Sequence, residues 1–167
     1  MIGENKKLCD FDRIMGNPLD KIDARILQEL QVDAAQSQRE LAEKVGLSQN
    51  ACWRRIRLMQ ERGIIRGQTV RLNAQALGYG LVVFAMVRTR NHSAEWLKRF
   101  RAHVSSIPDI IDFYRIGGDY DYMLKIVTRD MKSYDHVYQR LIDKLDLETV
   151  TSYFAMEAIV ENRPIPV

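Results

Sequence analysis

The residue types most able to do chemistry in this 167-residue chain gather in SQNACWRRIR, residues 48–57. Amide side chains pair with adenine edges, and guanidinium groups with guanine or phosphate. At about 100° per residue on a helix, Cys52, Ile56 and Met59 fall on one face, and Leu47 can join that core. Asn50, Arg54 and Arg57 fall near the opposite face, with Gln49, Ala51 and Trp53 on the flanks toward the N-terminal end. A helix laid in the major groove reads bases with its N-terminal residues. Arg55 and Arg62 project sideways and suit phosphates, and Ser48 with the helix N-terminus can hold another. The expected DNA-contacting set is Ser48, Gln49, Asn50, Trp53, Arg54, Arg55 and Arg57. Taken alone, the arginines also describe a solvated helix face, Trp53 a residue partly packed against the first helix, and Cys52 a small core residue.

A second constellation is GGDYDY, residues 117–122. Gly117 and Gly118 let a ligand approach exposed backbone N–H groups, which could hold a carboxylate. Asp119 or Asp121 could then hold an ammonium group and complete a clamp for a zwitterion. The same residues also describe a plain hairpin turn, with Tyr120 and Tyr122 as sheet residues. Metal and catalytic chemistry finds no support. His92, His103 and His136 lack ligand spacing, neither Cys9 nor Cys52 has a nearby histidine or second thiol, and no phosphate-loop signature occurs. No catalytic residue, metal or cofactor is expected.

The elements that must position these groups follow from periodicity. Residues 20–31 carry Ile22, Ile26, Leu27 and Leu30 at helical spacing, with Asp20 and Asp23 at the positive end. Ser37 and Glu40 form a capping-box pattern ahead of Leu41, Ala42 and Val45, and Gly46 is the natural stop. Ser48 caps a third helix over 49–62, ended by Gly63. Two short helices joined by a Gly-containing turn are the helix-turn-helix pattern. IIRGQTVRL, residues 64–72, alternates around a glycine as a short β-wing would, with Arg66 and Arg71 toward the nucleic-acid backbone. The later residues predict a strand at 81–89 and a helix at 93–106 with Trp96, Leu97, Phe100 and Val104 inward. Strands at 110–116 and 120–128 follow, then a helix at 132–144 with Tyr134, Val137, Tyr138 and Leu141 inward, and a strand at 150–160. That order is βαββαβ, a ferredoxin-like sandwich. The class is therefore α+β: a flexible tail at 1–17, a winged helix-turn-helix unit at 18–72, a hinge at 73–79 and a ferredoxin-like unit at 80–167. Met15, just before the first ordered segment, could serve as the start.

Composition narrows the setting. Hydrophobic residues are 46% and charged residues 28%, which excludes a wholly disordered or collagen-like chain. The formal charge is +3, and the excess lies within residues 19–78, which suggests an anionic partner for that segment, although on this number alone chance variation is the better account. Two cysteines exclude a multi-bridge secreted scaffold. The longest apolar stretch, 81–87, is too short to span a bilayer, and residues 1–13 lack the apolar run of a signal peptide. A reducing, cytoplasmic setting with no membrane partner is expected.

LDKIDARILQELQVDA (19–34), RELAEKVGLS (39–48), Cys52 and RGIIRG (62–67), followed by GGDYDYMLKI (117–126), DMKSY (130–134) and SYFAMEAI (152–159), resemble the Lrp/AsnC, or feast/famine, transcription regulators. The resemblance runs from Leu19 through nearly the whole chain, with a DNA module before an effector module. It implies homodimers through the C-terminal sheets, assembled further into tetramers or octamers, and a free amino acid bound between dimers. By this resemblance the effector site draws on Gly118, Asp121, Met131, Tyr153 and Ala155. Many members carry Pro immediately before the cysteine, where this chain has Gln49-Asn50-Ala51, so base preference does not carry over. HSAEW (92–96) and VTSYFAME (150–157) are most similar to a branch that senses cysteine and controls its breakdown.

The expected function is a sequence-specific regulator on double-stranded DNA, modulated by a small amino acid, cysteine first. Pairing of readers is required, because one small reader buries too little surface for tight specific binding. Two rivals remain: a nucleoid-type architectural protein with little sequence preference, and a small enzyme or metabolite sensor whose basic helix is incidental.

Overall fold

Asp20 caps the first helix. Its Oδ1 accepts the amides of Ile22 and Asp23, each at 2.8 Å, while the amide of Asp20 donates to Asp23 Oδ2 at 3.4 Å. This reciprocal box satisfies otherwise orphaned donors, and helix α1 runs Lys21–Val32. The computed structural model describes residues 19–143 and 145–167, so the expected tail at 1–17 and Lys144 lie outside the described residues. The same device starts α2, Gln38–Val45: the amide of Glu40 donates to Ser37 Oγ at 3.2 Å and the amide of Ser37 to Glu40 Oε2 at 2.8 Å. Gly46 ends α2 at φ 72, and the amide of Leu47 reaches back to the carbonyl of Ala42 at 2.9 Å. Ser48 Oγ then accepts the amide of Ala51 at 3.3 Å and opens α3, Gln49–Glu61.

The three helices close on one core of Ile26, Leu27, Leu41, Ala42, Val45, Cys52 and Met59, with Ile22, Leu30, Leu47 and Ile56 packed at its margin. Cys52 is 1% exposed, and burial pushes its thiol pKa up, away from the reactive thiolate. Arg55 departs from the expected phosphate-facing position. Its Nη1 lies 2.6 Å from Asp20 Oδ2 and 2.8 Å from Asp23 Oδ1, so it clamps the start of α1 to the side of α3. The reason is local: Asp20 and Asp23 turn their carboxylates to the N-terminal end of α1, and the flank of α3 bearing Arg55 lies beside it. Ile64 and Ile65 also fold back, their amides donating to the carbonyl of Met59 at 2.9 and 3.2 Å while their side chains pack on the core. The segment expected to alternate as a wing forms no strand, and residues 66–80 are exposed.

The chain divides into two compact units, one holding the described residues up to Val70 together with Val160–Val167, the other Arg71–Ile159. The sequence-based unit at 80–167 runs eight residues beyond Ile159, where this division of contacts falls. The second unit contains β1 (Leu81–Arg88), α4 (Ala94–Ser105), β2 (Ile110–Arg115), β3 (Tyr122–Thr128), α5 (Met131–Ile142) and β4 (Thr149–Phe154). The strands lie in the order β2-β3-β1-β4, antiparallel throughout, the ferredoxin-like βαββαβ arrangement. Burial alternates along β1 and β3, so Val83, Ala85, Val87, Tyr122, Leu124 and Ile126 pack against Trp96, Phe100 and Val104 of α4 and Tyr134, Val137 and Leu141 of α5. The opposite face carries Val82, Phe84, Met86, Met123 and Val127, all half-buried. The final strand stops at Phe154 rather than continuing to 160, because β1 begins at Leu81 and offers no further partner after Val82 accepts the amide of Ala155 at 2.9 Å. Among the described residues no helix is long and apolar enough to cross a membrane.

Two outcomes follow from the helical unit. No heavy atom lies within 4 Å of a Cβ added at Gly46, so Gly46→Ala meets no clash and bears only the left-handed backbone penalty; urea unfolding should show a loss of about 1 kcal/mol. Asp20 is held below the ordinary carboxylate range, first by the amide of Asp23 and then by the Arg55 guanidinium. A depressed carboxylate contributes stability above its unfolded pKa and loses it as pH falls through its folded pKa. Melting of the wild-type protein should therefore weaken as pH drops below the ordinary aspartate value of 3.8. Arg55→Ala should lower the melting midpoint at neutral pH and flatten that acid-side decline; an unchanged pH profile would refute the clamp.

Candidate nucleic-acid interface and effector site

Anchoring α3 through Cys52 and Met59 leaves its other side to solvent. Gln49, Asn50, Trp53, Arg54 and Arg57 are all exposed, as the wheel predicted. Ser48 keeps its hydroxyl on the helix cap, and the amides of the first turn stand beside it. Arg54 carries no ion pair among the described residues. Arg57 reaches Glu61 at 3.1 Å, an exposed i,i+4 pair worth little against a phosphate, and its guanidinium carbon lies 5.3 Å from the Trp53 ring centre. Trp53 takes both roles considered for it. It is 46% exposed, yet it also borders a cavity of about 170 Å³ shared with Leu30, Leu41 and Ile56. The outward face thus joins two arginines, two amides and one aromatic plane, the donor set of a duplex-reading helix, with Arg55 withdrawn from it.

The second constellation separates along the sheet. Gly118, at φ 122, and Asp119 lie exposed in the β2–β3 turn. The carbonyl of Asp119 accepts Arg88 Nε at 2.7 Å. Asp121 follows, its amide donating to the carbonyl of Val87 and its Oδ2 accepting the amide of Thr89 at 2.8 Å. That carboxylate therefore ties down the end of β1 and leaves Oδ1, 3.9 Å from His92 Nδ1, as its open oxygen. Ala155 and Met131 stand at the other end, beside Val82 and just after β3. Val82 and Val87 are about 17 Å apart along β1. Tyr153 lies between the groups on the helix-free face, opposite Phe84. The Tyr120 hydroxyl donates to Thr151 Oγ1 at 3.3 Å, and its pKa is lowered by its hydrogen bonding with Thr151 and Tyr153 and by the charge of Arg88. Tyr153, hydrogen-bonded to Tyr120, has its pKa raised.

Met131 and Tyr153 are 57% and 54% exposed, so neither is a packing residue within the chain. Sequence reasoning missed the Tyr120–Thr151–Tyr153 chain because strand pairing alone brings residues 120 and 151 together. It missed the Arg55 clamp although the i,i+3 spacing of Asp20 and Asp23 was a usable signal. Among the described residues no three His, Cys, Asp or Glu side chains group as metal ligands.

Known proteins match both units. Residues 19–66 match the winged helix-turn-helix DNA-binding family and residues 82–165 the Lrp/AsnC ligand binding domain. The chain is 41% identical over 148 residues to a glutamate uptake regulatory protein of Zymomonas mobilis, covering 89% of this chain and 90% of that protein. It is 39% identical over 150 residues to the DNA-binding transcriptional activator DecR of Escherichia coli, covering 89% and 99%. Among solved structures, an AsnC family transcriptional regulator from Agrobacterium tumefaciens superposes with a TM-score of 0.84 at 44% identity, over 88% of this chain and 96% of that one. A transcriptional regulator of Neisseria meningitidis in complex with L-Met gives 0.83 at 29% identity, over 89% and 97%. With a helix whose outward face is exposed as the wheel required, a βαββαβ unit following it in the sequence and relatives aligned along both, the chain belongs to the Lrp/AsnC family of DNA-binding transcription regulators and is not an enzyme.

Proposed function

We propose that this protein is a cytoplasmic, sequence-specific transcription regulator that reads double-stranded DNA with α3 and changes its assembly or spacing when a small amino acid binds. The observation that carries the DNA reading is the exposed set Gln49, Asn50, Trp53, Arg54 and Arg57 on a helix whose opposite stripe is buried. Ser48 and the first-turn amides hold one phosphate, Asn50 and Gln49 meet base edges, and Arg54 and Arg57 meet guanine or phosphate. Arg55 positions the helix through Asp20 and Asp23.

Pairing of two readers runs through the helix-free sheet face, where Val82, Phe84, Met86 and Val127 offer an apolar surface to a second copy. The effector proposal rests on the separation of its residues. Gly118, Asp119 and Asp121 lie at one end of the sheet and Met131 and Ala155 at the other, so one protomer cannot close both groups around one small ligand. A site between dimers supplies one group from each chain, and ligand binding then favours one assembly over another by its difference in affinity for the two. The neighbour holding L-Met supports an amino acid as the ligand class. Cysteine is the first choice, because HSAEW and VTSYFAME are most similar to the cysteine-sensing branch.

Alanine at both Arg54 and Arg57 should abolish tight binding to the DNA upstream of the gene and leave the dimer folded. Each phosphate contact removed should reduce the slope of log affinity against log salt by about one. Equal wild-type affinity for random and upstream DNA at one salt concentration would favour the architectural reading instead. Calorimetry against the twenty amino acids should give heat with a small one. Asp121→Asn, which keeps an acceptor for the Thr89 amide, should weaken that binding about tenfold or more through loss of the charged acceptor. Heat from none of the twenty would remove the sensing role.

A further inference from the structure

Residues 160–167, VENRPIPV, pack with the DNA-reading unit although they follow the last strand of the other. The chain therefore crosses between units twice, after Val70 and after Ile159. Asn162 turns the chain at φ 52, a left-handed value that Asn tolerates better than most residues. Pro164 and Pro166 then fix their own φ and bias Arg163 and Ile165 toward extended backbone. Ile165 is the one residue of 164–166 with an amide N–H, and Gln31 takes both of its backbone groups. The Ile165 amide donates to Gln31 Oε1 at 2.7 Å, and Gln31 Nε2 donates to the Ile165 carbonyl at 3.0 Å. Gln28 Nε2, one turn back on α1, donates to the Val167 carbonyl at 2.7 Å. Ile165 and Val167 are 70% and 41% exposed, so the tail is held by its backbone rather than by buried side chains.

We propose that the Gln28–Gln31 face of α1 is a peptide-docking surface whose occupant is this chain's own Pro164–Val167 segment, and that docking gives the DNA-reading unit a second anchor. A side-chain amide that both donates to and accepts from one residue imitates a neighbouring strand. The two prolines pre-order the segment, so little entropy is lost on docking. Residue 165 therefore tolerates exchange of its side chain, whereas loss of either glutamine does not go unnoticed. A reader held at two points explores less space, which raises the effective concentration of the second reader at its half-site. This last step rests on the DNA-reading role proposed above.

Hydrogen exchange on the full chain tests the dock without DNA. The Ile165 amide should be protected in the wild type and exchange about tenfold faster in the double variant Gln28→Ala/Gln31→Ala, while Ile165→Ala should leave residue 165 protected. The double variant should also bind upstream DNA several-fold more weakly, with Arg54 and Arg57 untouched. An unprotected Ile165 amide in the wild type overturns the dock, and protection lost without any change in DNA affinity overturns the second-anchor role. Oxidising a Gln31→Cys/Ile165→Cys pair should give a cross-linked single chain; a covalent dimer would assign the face to the tail of a second copy and overturn the proposal. A wild type that binds no DNA would sink the regulator reading, and exchange at Ile165 would still decide the dock.

Discussion

A helix in a three-helix unit has one stripe to bury, and the rotation of α3 about its own axis follows from which stripe that is. Cys52 and Met59 are seven residues apart, nearly two turns, and both are about 1% exposed against Ile26, Leu41 and Val45. Once they are seated, Asn50, Arg54 and Arg57 have nowhere to point but outward. Arg55 falls at the border between the two faces. There it meets Asp20 and Asp23, and the pair of carboxylates locks the rim of α3 to the start of α1. Core and rim together hold the outward face of α3, the proposed DNA-reading face, in one orientation. Preorganisation of this kind reduces what binding must order.

The second unit obeys a different periodicity with a similar consequence. A strand alternates its side chains between two faces, and two helices can cover only one face of a four-stranded sheet. Val83, Ala85 and Val87 go under α4 and α5, and Tyr134 reaches Ser152 on β4 through its hydroxyl. Val82, Phe84 and Met86 are left on the other side, next to Tyr120, Thr151 and Tyr153. An apolar face with a polar patch toward one end is suited to meeting a copy of itself, since residue types on the two copies then match under a two-fold axis. The ends of the sheet carry the two separated groups of effector residues. The proposed self-association and the proposed ligand closure therefore draw on one piece of geometry.

Reading the caps needed no structure. Ser37 with Glu40, Gly46 and Ser48 act over four residues or fewer, and each stands where its local chemistry placed it, whereas Asp20 and Asp23, read only as acids suiting the positive end of a helix, form a capping box of their own. The apolar stripes of α3, α4 and α5 were equally legible, because helical spacing alone assigns their faces. The wing was not. IIRGQTVRL alternates as a strand would, but Ile64 and Ile65 gain more by covering the core of the helical unit, and an alternating pattern without a partner strand does not make a sheet. Strand β4 was read too long for the same reason: its length is decided by where β1 begins.

What the sequence determined by itself rested on local periodicity and capping: the helices and their buried stripes, the βαββαβ order, and the exposed residues of α3. What only the tertiary structure decided were contacts between residues far apart along the chain. Arg55 lies more than thirty positions from Asp20, Tyr120 thirty-one from Thr151, and Gln31 one hundred and thirty-four from Ile165. No periodicity links such positions. Their meeting depends on how folded elements pack, and packing placed Arg55 in a structural clamp, drew the C-terminal segment onto α1 and set the proposed effector residues at opposite ends of one sheet.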